Sequence, residues 1–270
     1  MNGALVPDDQ ARVPVTDHGL TTGDGVFEAL KVTGGVPFAL TRHLARLCAS
    51  AKGLGLPEPD LDQIRAGVDA VLEGAGRPDR ARIRITVTAG ESALGSQRTA
   101  TEPSIIVILA DLSEAAPTCD VVTFPWPRNE RGALAGVKTT SYAENVVALS
   151  YARQQGAAEA IFGNLAGNLC EGTGTNAFAV VGGHLVTPPL SAGCLAGVTR
   201  GLLVEWAGAA EEDVPLSALA GAGEAFLTGT SRDVQPIRRV NGIELPSCPG
   251  PVTRKAAEIF AERAAEDLDP

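Results

Sequence analysis

The chain has 270 residues, which is enough for one large domain or two modest ones, each with a hydrophobic core. Its hydrophobic content of 44% and charged content of 20% are ordinary for a soluble globular protein. The formal net charge is −10 and no Lys/Arg-rich run occurs, which argues against nucleic acid or an anionic membrane as a partner.

The five cysteines are scattered, with no C-x-x-C, and none pairs with the three histidines at metal-ligand spacing. We therefore expect reduced thiols, a cytoplasmic location and no bound metal. Residues 1–13 lack the basic region and apolar core of a signal peptide. The longest apolar run, around residues 105–109, is far too short to span a bilayer.

The N-terminal part of the chain predicts a small α+β unit, from the alternation and spacing of its apolar residues. After a glycine-rich loop, its elements are a strand at 26–32, a helix with Thr41 as N-cap, a helix at about 61–73, and strands at 82–88 and 103–110. His43 and Arg46 lie three residues apart on the first helix and so share one side of it. That side is either a solvated face or a place where an imidazole and a fixed cation meet an anion.

The composition changes at residues 114–118, where we place the start of an interdomain connection. The predicted domains are 1–115, a small N-terminal α+β domain, then 116–135, an interdomain strand and loop, and 136–270, a larger domain. Short strands alternate with helices in the last part. They are predicted at 159–162, 177–181, 185–187, 225–227 and 237–240, and the final helix at 252–265.

Lys138 is the only lysine between Lys52 and Lys255, and its neighbours are small and uncharged. It lies just before a helix that opens with the capping box at residues 141–144. An ordinary surface lysine is the simplest interpretation of such a residue. The order of the residues that follow favours a functional one.

Glu171 is a lone acid between segments that predict buried strands and tight turns. A buried carboxylate needs a cation or several donors, and a protonated pyridine nitrogen would serve. Residues 195–200 lead into a helix whose small first residues expose backbone N–H groups and whose Thr199 adds a hydroxyl, as a phosphate site requires. The turn at 228–231 offers a second group of such donors.

A rival pattern, Gly172-x-Gly174-x-x-Ala177, matches the G-x-G-x-x-A of dinucleotide-binding proteins. That fingerprint requires a helix after it, whereas residues 178–187 predict a hairpin. We expect the match to be accidental and keep a nicotinamide-dependent oxidoreductase as a distant alternative.

Taken together, six motifs carry a family resemblance. They are Asp17-x-Gly19 with Gly23-Asp-Gly-Val-Phe-Glu28, His43-x-x-Arg46-Leu47, Lys138, Glu171-Gly172 with Asn176 and Phe178, Leu195-x-Gly197-Val-Thr-Arg200, and Thr228-Gly-Thr230. Over nearly its whole length the chain resembles the class IV aminotransferases, the fold-type IV enzymes of pyridoxal 5′-phosphate. That group includes branched-chain aminotransferases, D-amino acid aminotransferases and 4-amino-4-deoxychorismate lyase.

The resemblance implies a two-domain α+β fold, in which a small N-terminal domain closes over a larger mixed-sheet domain, and a homodimer that completes the site. It implies that Lys138 carries the cofactor as a Schiff base and moves a proton, and that Glu171 holds the pyridine nitrogen protonated. The implied cofactor-binding residues are Arg46, Lys138, Tyr142, Glu171, Leu195, Gly197, Val198, Thr199 and Thr230.

The available clamps for a substrate carboxylate are Arg84, Arg128 and Arg131, because arginine binds carboxylates bidentately. The compact length and the missing aminotransferase markers favour 4-amino-4-deoxychorismate lyase, which forms 4-aminobenzoate and pyruvate. The alternative is an aminotransferase that passes an amino group between a branched-chain or D-amino acid and a 2-oxo acid. A binding module without catalysis is a third hypothesis.

Overall fold

The computed structural model describes residues 1–99 and 102–270, which form two compact units. The N-terminal unit comprises Met1–Ser113, Val137–Tyr142 and Leu268–Pro270, and the C-terminal unit comprises Glu114–Gly136 and Ala143–Asp267. Lys138 therefore belongs with the N-terminal unit, and the strand and loop of the connecting segment belong with the C-terminal one. The domain limits drawn from the sequence stay a prediction.

The N-terminal unit is a four-stranded antiparallel sheet with helices on one face. Its elements are α1 (His18–Thr21), β1 (Gly25–Thr33), β2 (Val36–Pro37), α2 (Leu40–Leu54), α3 (Leu61–Gly74), β3 (Arg80–Thr88) and β4 (Ser104–Ala110), with strand order β2-β1-β3-β4. The strand predicted at 26–32 and the helices and strands predicted after it are confirmed to within two residues. Residues 3–14 also predict two short strands around Pro7, and that prediction is wrong, because this segment forms turns and no strand.

Alternation along the strands decides which side chains enter the core. In β3, Ile83, Ile85 and Val87 are buried against α2 and α3, while the residues between them face the other way. The core also includes Leu44 and Leu47 of α2 and Ile64, Val68 and Leu72 of α3. The helical spacing of these residues forms the apolar face that covers the sheet.

Helix α2 begins differently from the prediction. Ala39, in a left-handed conformation with φ of 55°, occupies the N-cap position and offers no side-chain cap. The carboxylate of Asp269 takes that role, accepting hydrogen bonds from the Thr41 backbone N–H at 2.8 Å and from its hydroxyl at 2.6 Å. The prediction of Thr41 as N-cap is wrong because the capping group comes from a distant part of the chain.

The C-terminal unit is built on a nine-stranded sheet. Its elements are β5 (Cys119–Thr123), α4 (Ala143–Gln154), β6 (Glu159–Gly163), β7 (Leu169–Gly172), β8 (Asn176–Val181), β9 (His184–Thr187), α5 (Val198–Ala207), β10 (Ala210–Glu211), β11 (Glu224–Gly229), β12 (Asp233–Val240), β13 (Ile243–Glu244) and α6 (Pro251–Glu266). The order is β10-β9-β8-β11-β12-β5-β6-β7, and β13 pairs with β12. Because β7 also pairs with β8, six of these strands form a closed ring.

Residues after Gly172-x-Gly174-x-x-Ala177 form strand β8 and its hairpin partner β9. The helix required by the dinucleotide fingerprint is absent at this position, so the match is accidental, as expected. All five cysteines are free thiols. Within residues 1–99 and 102–270, no helix has the length and apolar character needed to cross a bilayer.

One polar side chain interrupts the core of the N-terminal unit. Glu28 lies in β1 between buried apolar residues and has no exposed surface. Helix α2 supplies its partners. Arg46 donates from Nε to Oε1 at 2.7 Å and from Nη2 to Oε2 at 2.6 Å, and His43 Nδ1 lies 2.7 Å from Oε2.

These contacts set the protonation of both groups. Burial alone would raise the pKa of Glu28, but the charge and hydrogen bonds of Arg46 and the hydrogen bond of His43 lower it to about 2. Burial, together with the charges of Arg46 and Lys138, lowers the pKa of His43 despite its hydrogen bond to Glu28, so the imidazole is neutral at pH 7. Since an ionised carboxylate only accepts, His43 donates its Nδ1–H.

We expect Arg46→Met to lower the free energy of unfolding by about 3–5 kcal/mol, because it leaves the Glu28 carboxylate buried without its cation. The double variant Glu28→Gln/Arg46→Met should recover much of that loss, since no charge remains buried. Urea unfolding at pH 7 measures both. A loss below about 1 kcal/mol in the single variant would contradict the buried ion pair.

The same carboxylate predicts how stability depends on pH. Its pKa is about 2 in the folded chain, below the ordinary value of 4.5, so its stabilisation is complete above the unfolded pKa. That stabilisation is lost as the pH falls from about 4.5 through 2. Glu28→Gln should therefore flatten the acid limb of a stability curve measured by urea unfolding between pH 7 and 2. An unchanged acid limb would contradict the lowered pKa.

Candidate active site

The segment that carries Lys138 is bound along the edge of β1. Phe27 N–H donates to the Lys138 carbonyl at 3.0 Å, and Thr140 N–H donates to the Gly25 carbonyl at 2.8 Å. From the other side, the Ser50 hydroxyl of α2 accepts from Lys138 N–H at 3.2 Å. The lysine backbone is thus held by both a strand and a helix of the N-terminal unit.

Gly23 makes this docking possible. Its φ is +71°, in the left-handed region, and a Cβ placed there would lie 2.5 Å from the Ser141 hydroxyl oxygen. Its carbonyl accepts from the hydroxyls of Thr140 and Ser141. A larger residue would push the lysine segment away from β1.

In the N-terminal unit, three functional side chains meet at the ring of Phe27. Lys138 Nζ lies 4.4 Å from its centroid, and Arg84 Cζ lies 3.9 Å from it. Tyr142 meets the same ring edge-on, with centroids 5.4 Å apart. An amine, a guanidinium and a phenol are therefore gathered on one aromatic side chain, with the cation–π attraction holding both cations.

Strand pairing explains this arrangement. Phe27 and Ala29 of β1 lie opposite Thr86 and Arg84 of β3, on the face of the sheet away from the helices. Arg84 Nε also donates to the Thr86 hydroxyl at 3.1 Å. Burial lowers the pKa of Arg84 and the nearby Tyr142 opposes that effect. The side chain is a partly buried cation with a fixed direction.

In the C-terminal unit, register brings four side chains into one row. Phe162 of β6 lies opposite Glu171 of β7, which lies opposite Asn176 of β8, and Asn176 lies opposite Thr228 of β11. Residues opposite each other in an antiparallel pair project from the same face. Glu171 is thus flanked by the aromatic ring of Phe162 on one side and the amide of Asn176 on the other.

Glu171 and Asn176 hold the peptide of Leu195 between them. Leu195 N–H donates to Glu171 Oε2 at 2.9 Å, and Asn176 Nδ2 donates to the Leu195 carbonyl at 2.8 Å. On its other side Glu171 Oε1 lies 3.3 Å from Arg128 Nε. The resemblance implies that Leu195 binds the cofactor, and the structure places its peptide directly beside Glu171, the acid expected to face the ring nitrogen.

Helix α5 begins with the features of an anion site. Gly197 is its N-cap and offers no side-chain cap, and its first turn contains no acidic residue. A Cβ on Gly197 would lie 1.9 Å from Asn176 Oδ1, so only glycine fits. Val198 and Thr199 form the buried first turn, whose N–H groups and positive dipole end suit a phosphate.

Of the remaining predicted residues, two lie in loops and one lies in helix α2. Thr230 is half-buried in the turn between β11 and β12. Arg131 is exposed in the loop after β5, where its backbone N–H donates to the Asn129 side chain. Arg46 contacts Glu28, as described above. The binding roles assigned to all these side chains stay predictions.

Phe27 and Asn176 were part of the motifs but were not predicted as site residues. Alternation in β1 could place Phe27 on the face away from the core, but its proximity to Arg84 depends on the register with β3. Asn145, which bonds Arg128, carried no comparable signal because its partner lies seventeen residues away across a loop.

The donor set fits pyridoxal 5′-phosphate in each unit. The N-terminal unit offers a lysine amine in an aromatic setting. The C-terminal unit offers a carboxylate of defined orientation and an uncapped helix N-terminus shaped by a glycine. An aldehyde, a pyridine nitrogen and a phosphate are the groups that such residues bind.

Known proteins agree with this assignment. The family model for amino-transferase class IV matches residues 25–240. A putative branched-chain-amino-acid aminotransferase from Methanocaldococcus jannaschii is 34% identical over 97% of this chain and 94% of that protein. The crystal structure of a branched-chain aminotransferase from Thermoproteus uzoniensis with norvaline is 28% identical, covers 97% of this chain and 92% of that chain, and has a TM-score of 0.90.

The solved structure of a putative 4-amino-4-deoxychorismate lyase from Legionella pneumophila has a TM-score of 0.89, with 97% of each chain covered. At 21% identity, that likeness shows the fold alone. The named relatives therefore favour the aminotransferase alternative over the lyase, which was the first choice of the sequence analysis. The expected fold-type IV architecture, a small N-terminal sheet and a larger closed sheet, is confirmed.

The match over residues 25–240 covers well over half of the chain. The predictions of an enzyme and of its pyridoxal 5′-phosphate dependence are confirmed with the family. This chain belongs to the class IV aminotransferase family.

Proposed function

We propose that this chain is a branched-chain-type aminotransferase, which moves an amino group between an aliphatic amino acid and a 2-oxo acid. The relatives named above support the aliphatic substrate. The observation that carries the proposal is the Phe27 ring, which an amine and a guanidinium both contact. An amino acid presents a carboxylate, which the Arg84 guanidinium attracts, and an amino group, which would take the place of the Lys138 amine on the cofactor.

In this proposal Lys138 binds the cofactor covalently and, once released, moves the proton at the substrate Cα. Its backbone is fixed by β1 and α2, so only the side chain has to move. Arg84 binds the substrate carboxylate, since a partly buried guanidinium pairs with it strongly. The phenol of Tyr142 lies against the same ring and orients the cofactor's hydroxyl side.

The C-terminal unit supplies the other contacts. When bound, pyridoxal 5′-phosphate provides an electron sink for the charge left by the departing proton. Glu171 keeps a proton on the ring nitrogen, and Leu195 packs on a ring face. The phosphate is held by the first turn of α5, where Val198 and Thr199 lie, together with Thr230. Arg46, whose guanidinium is already paired with Glu28, is not assigned to the phosphate. A cytoplasmic location remains a prediction of the sequence.

We also propose that the enzyme is a homodimer. The exposed large apolar side chains of the C-terminal unit include Trp126 at 61%, Val146 at 63% and Val147 at 55%. The two valines are neighbours near the start of α4. Exposed large apolar side chains of this kind are suited to burial against a second copy.

The substrate assignment is tested with a panel of amino donors. With 2-oxoglutarate as acceptor, we expect leucine, isoleucine and valine to react faster than D-alanine, measured as glutamate formed. No pyruvate should form from 4-amino-4-deoxychorismate without an acceptor. Arg84→Met should raise the KM for both substrates roughly 100-fold, as the loss of a charged carboxylate partner does, while Arg82→Met on the same strand should not. Faster turnover of D-alanine, or pyruvate release without an acceptor, contradicts the proposal.

Lys138→Ala should lower kcat at least about a thousandfold, because the proton carrier and the covalent link are both lost. Lys31→Ala is a matched control, since that lysine also lies over an aromatic ring, with Nζ 4.7 Å from the Phe38 centroid. Borohydride treatment followed by peptide mass analysis should place the cofactor on Lys138 in the wild type only. A labelled peptide in Lys138→Ala would refute the assignment.

For the dimer, Val146→Asp should shift the mass seen by light scattering from that of two chains to that of one. The reason is that a carboxylate cannot be buried in an apolar interface without a partner. Val181→Asp serves as the control, because Val181 is also exposed but lies in the β8–β9 hairpin. A wild-type protein with the mass of one chain would overturn this part of the proposal.

A further inference from the structure

We propose that Arg128 is a positioning residue that fixes the Glu171 carboxylate for the cofactor's ring nitrogen, and that it does not bind the substrate carboxylate. This inference rests on the proposed function, in which Glu171 pairs with that nitrogen. It replaces the clamp role that the sequence suggested for Arg128. The argument comes from the contacts of the C-terminal unit alone.

Arg128 is fixed at both ends of its side chain. Its backbone N–H donates at 2.7 Å to the carbonyl of Gly163, the last residue of β6. Arg128 also forms an isolated parallel bridge with Asn164. Its guanidinium lies over the fully buried ring of Phe162, with Cζ 3.9 Å from the centroid. Since Phe162 is directly opposite Glu171, stacking on that ring brings the cation to the carboxylate.

The guanidinium is already engaged by groups of its own chain. Nη1 contacts the Glu144 carboxylate, and both Nη atoms donate to Asn145 Oδ1, at 3.1 and 3.2 Å. Nε lies 3.3 Å from Glu171 Oε1, as an ion pair without the alignment of a hydrogen bond. A substrate carboxylate would have to displace one of these two carboxylates, so substrate binding at Arg128 gains little.

Those partners connect Arg128 to the loop that follows Glu171. Asn145 Nδ2 donates to the Thr173 carbonyl, two residues after the acid. The same arginine therefore contacts the Glu171 side chain directly and, through Asn145, its backbone loop. Glu171 Oε2 is held separately by Leu195 N–H at 2.9 Å. With each oxygen assigned a partner, the plane of the carboxylate is defined before any ligand arrives.

A positioning role and a clamp role predict different measurements. If Arg128 positions Glu171, Arg128→Met should weaken binding of pyridoxal 5′-phosphate roughly 10- to 100-fold, the range for outer partners of metal ligands. It should also lower kcat and leave the KM of both substrates within about threefold, because no substrate contact is lost. A clamp would instead show a raised KM with unchanged cofactor affinity.

The decisive experiment is a double-mutant cycle with Arg128→Met and Glu171→Gln, read as the cofactor dissociation constant from titration of the apo-protein. We expect non-additivity. Once Glu171 is neutral, removing Arg128 should weaken binding less than about threefold, since the two residues act as one unit. Arg153→Met, an exposed arginine on α4, is the control for loss of a positive charge. Fully additive effects, or a KM increase above tenfold with unchanged cofactor affinity, overturn the proposal.

Arg128→Lys guards against a variant that does not fold, because it keeps the charge but loses the planar stack on Phe162. We expect its cofactor affinity to lie between those of the wild type and Arg128→Met, and wild-type affinity overturns the requirement for a planar guanidinium.

The visible band of the loaded protein, titrated with pH, adds a readout of local charge. Its apparent pKa should rise in Arg128→Met and not in Arg128→Lys. If the wild type itself fails to bind the cofactor, the proposed function fails, and this inference with it. If the wild type binds, the variants alone decide.

Discussion

The ion pair between the buried Glu28 carboxylate and Arg46 is the contact on which the arrangement of Phe27 and Lys138 in the N-terminal unit depends. Adjacent residues of β1 face opposite sides of the sheet. Phe27 therefore contacts Lys138 and Arg84 on one side, while Glu28 lies in the core on the other. Glu28 can remain there only because α2 covers it with Arg46 and His43. The same helix supplies the Ser50 hydroxyl that accepts from the Lys138 N–H. The core ion pair and the lysine backbone thus share one rigid support.

The C-terminal unit meets the same physical requirement with different elements. Glu171 also lies in a strand among buried neighbours, and its carboxylate is also paired with an arginine. Here the cation is Arg128, which lies in a loop and is oriented by stacking on Phe162. Arg46, in contrast, is oriented by its helix. Unlike Glu28, which is sealed in a core, Glu171 borders the uncapped first turn of α5 through Leu195. That difference in surroundings distinguishes an acid that stabilises the fold from one that can serve a ligand.

Local patterns in the sequence were sufficient for the strands and helices. Alternation predicted β3, and the capping-box pattern at residues 141–144 predicted a helix start within two residues of that of α4, because these signals depend on neighbours in the chain. They could not predict that Asp269 caps α2, or that Val137–Tyr142 lies with the N-terminal unit, since both depend on contacts between distant segments. The motifs identified Lys138 and Glu171, but not the Phe27 ring, which becomes visible only when β1 and β3 are placed in register.

The arginines show most clearly where sequence reasoning ends. Arg84, Arg98 and Arg128 are chemically identical, and a motif cannot say which of them meets a ligand. In the structure Arg98 forms a bidentate pair with Asp24, and Arg128 is engaged by Glu144 and Glu171. Arg84 contacts a ring and a hydroxyl, neither of which neutralises its charge. A cation already neutralised by its own chain has little to gain from a substrate carboxylate, whereas one held by neutral groups retains its full attraction. Pairing within the chain, set by strand register, therefore supports the proposal that Arg84, rather than Arg128, binds the substrate carboxylate.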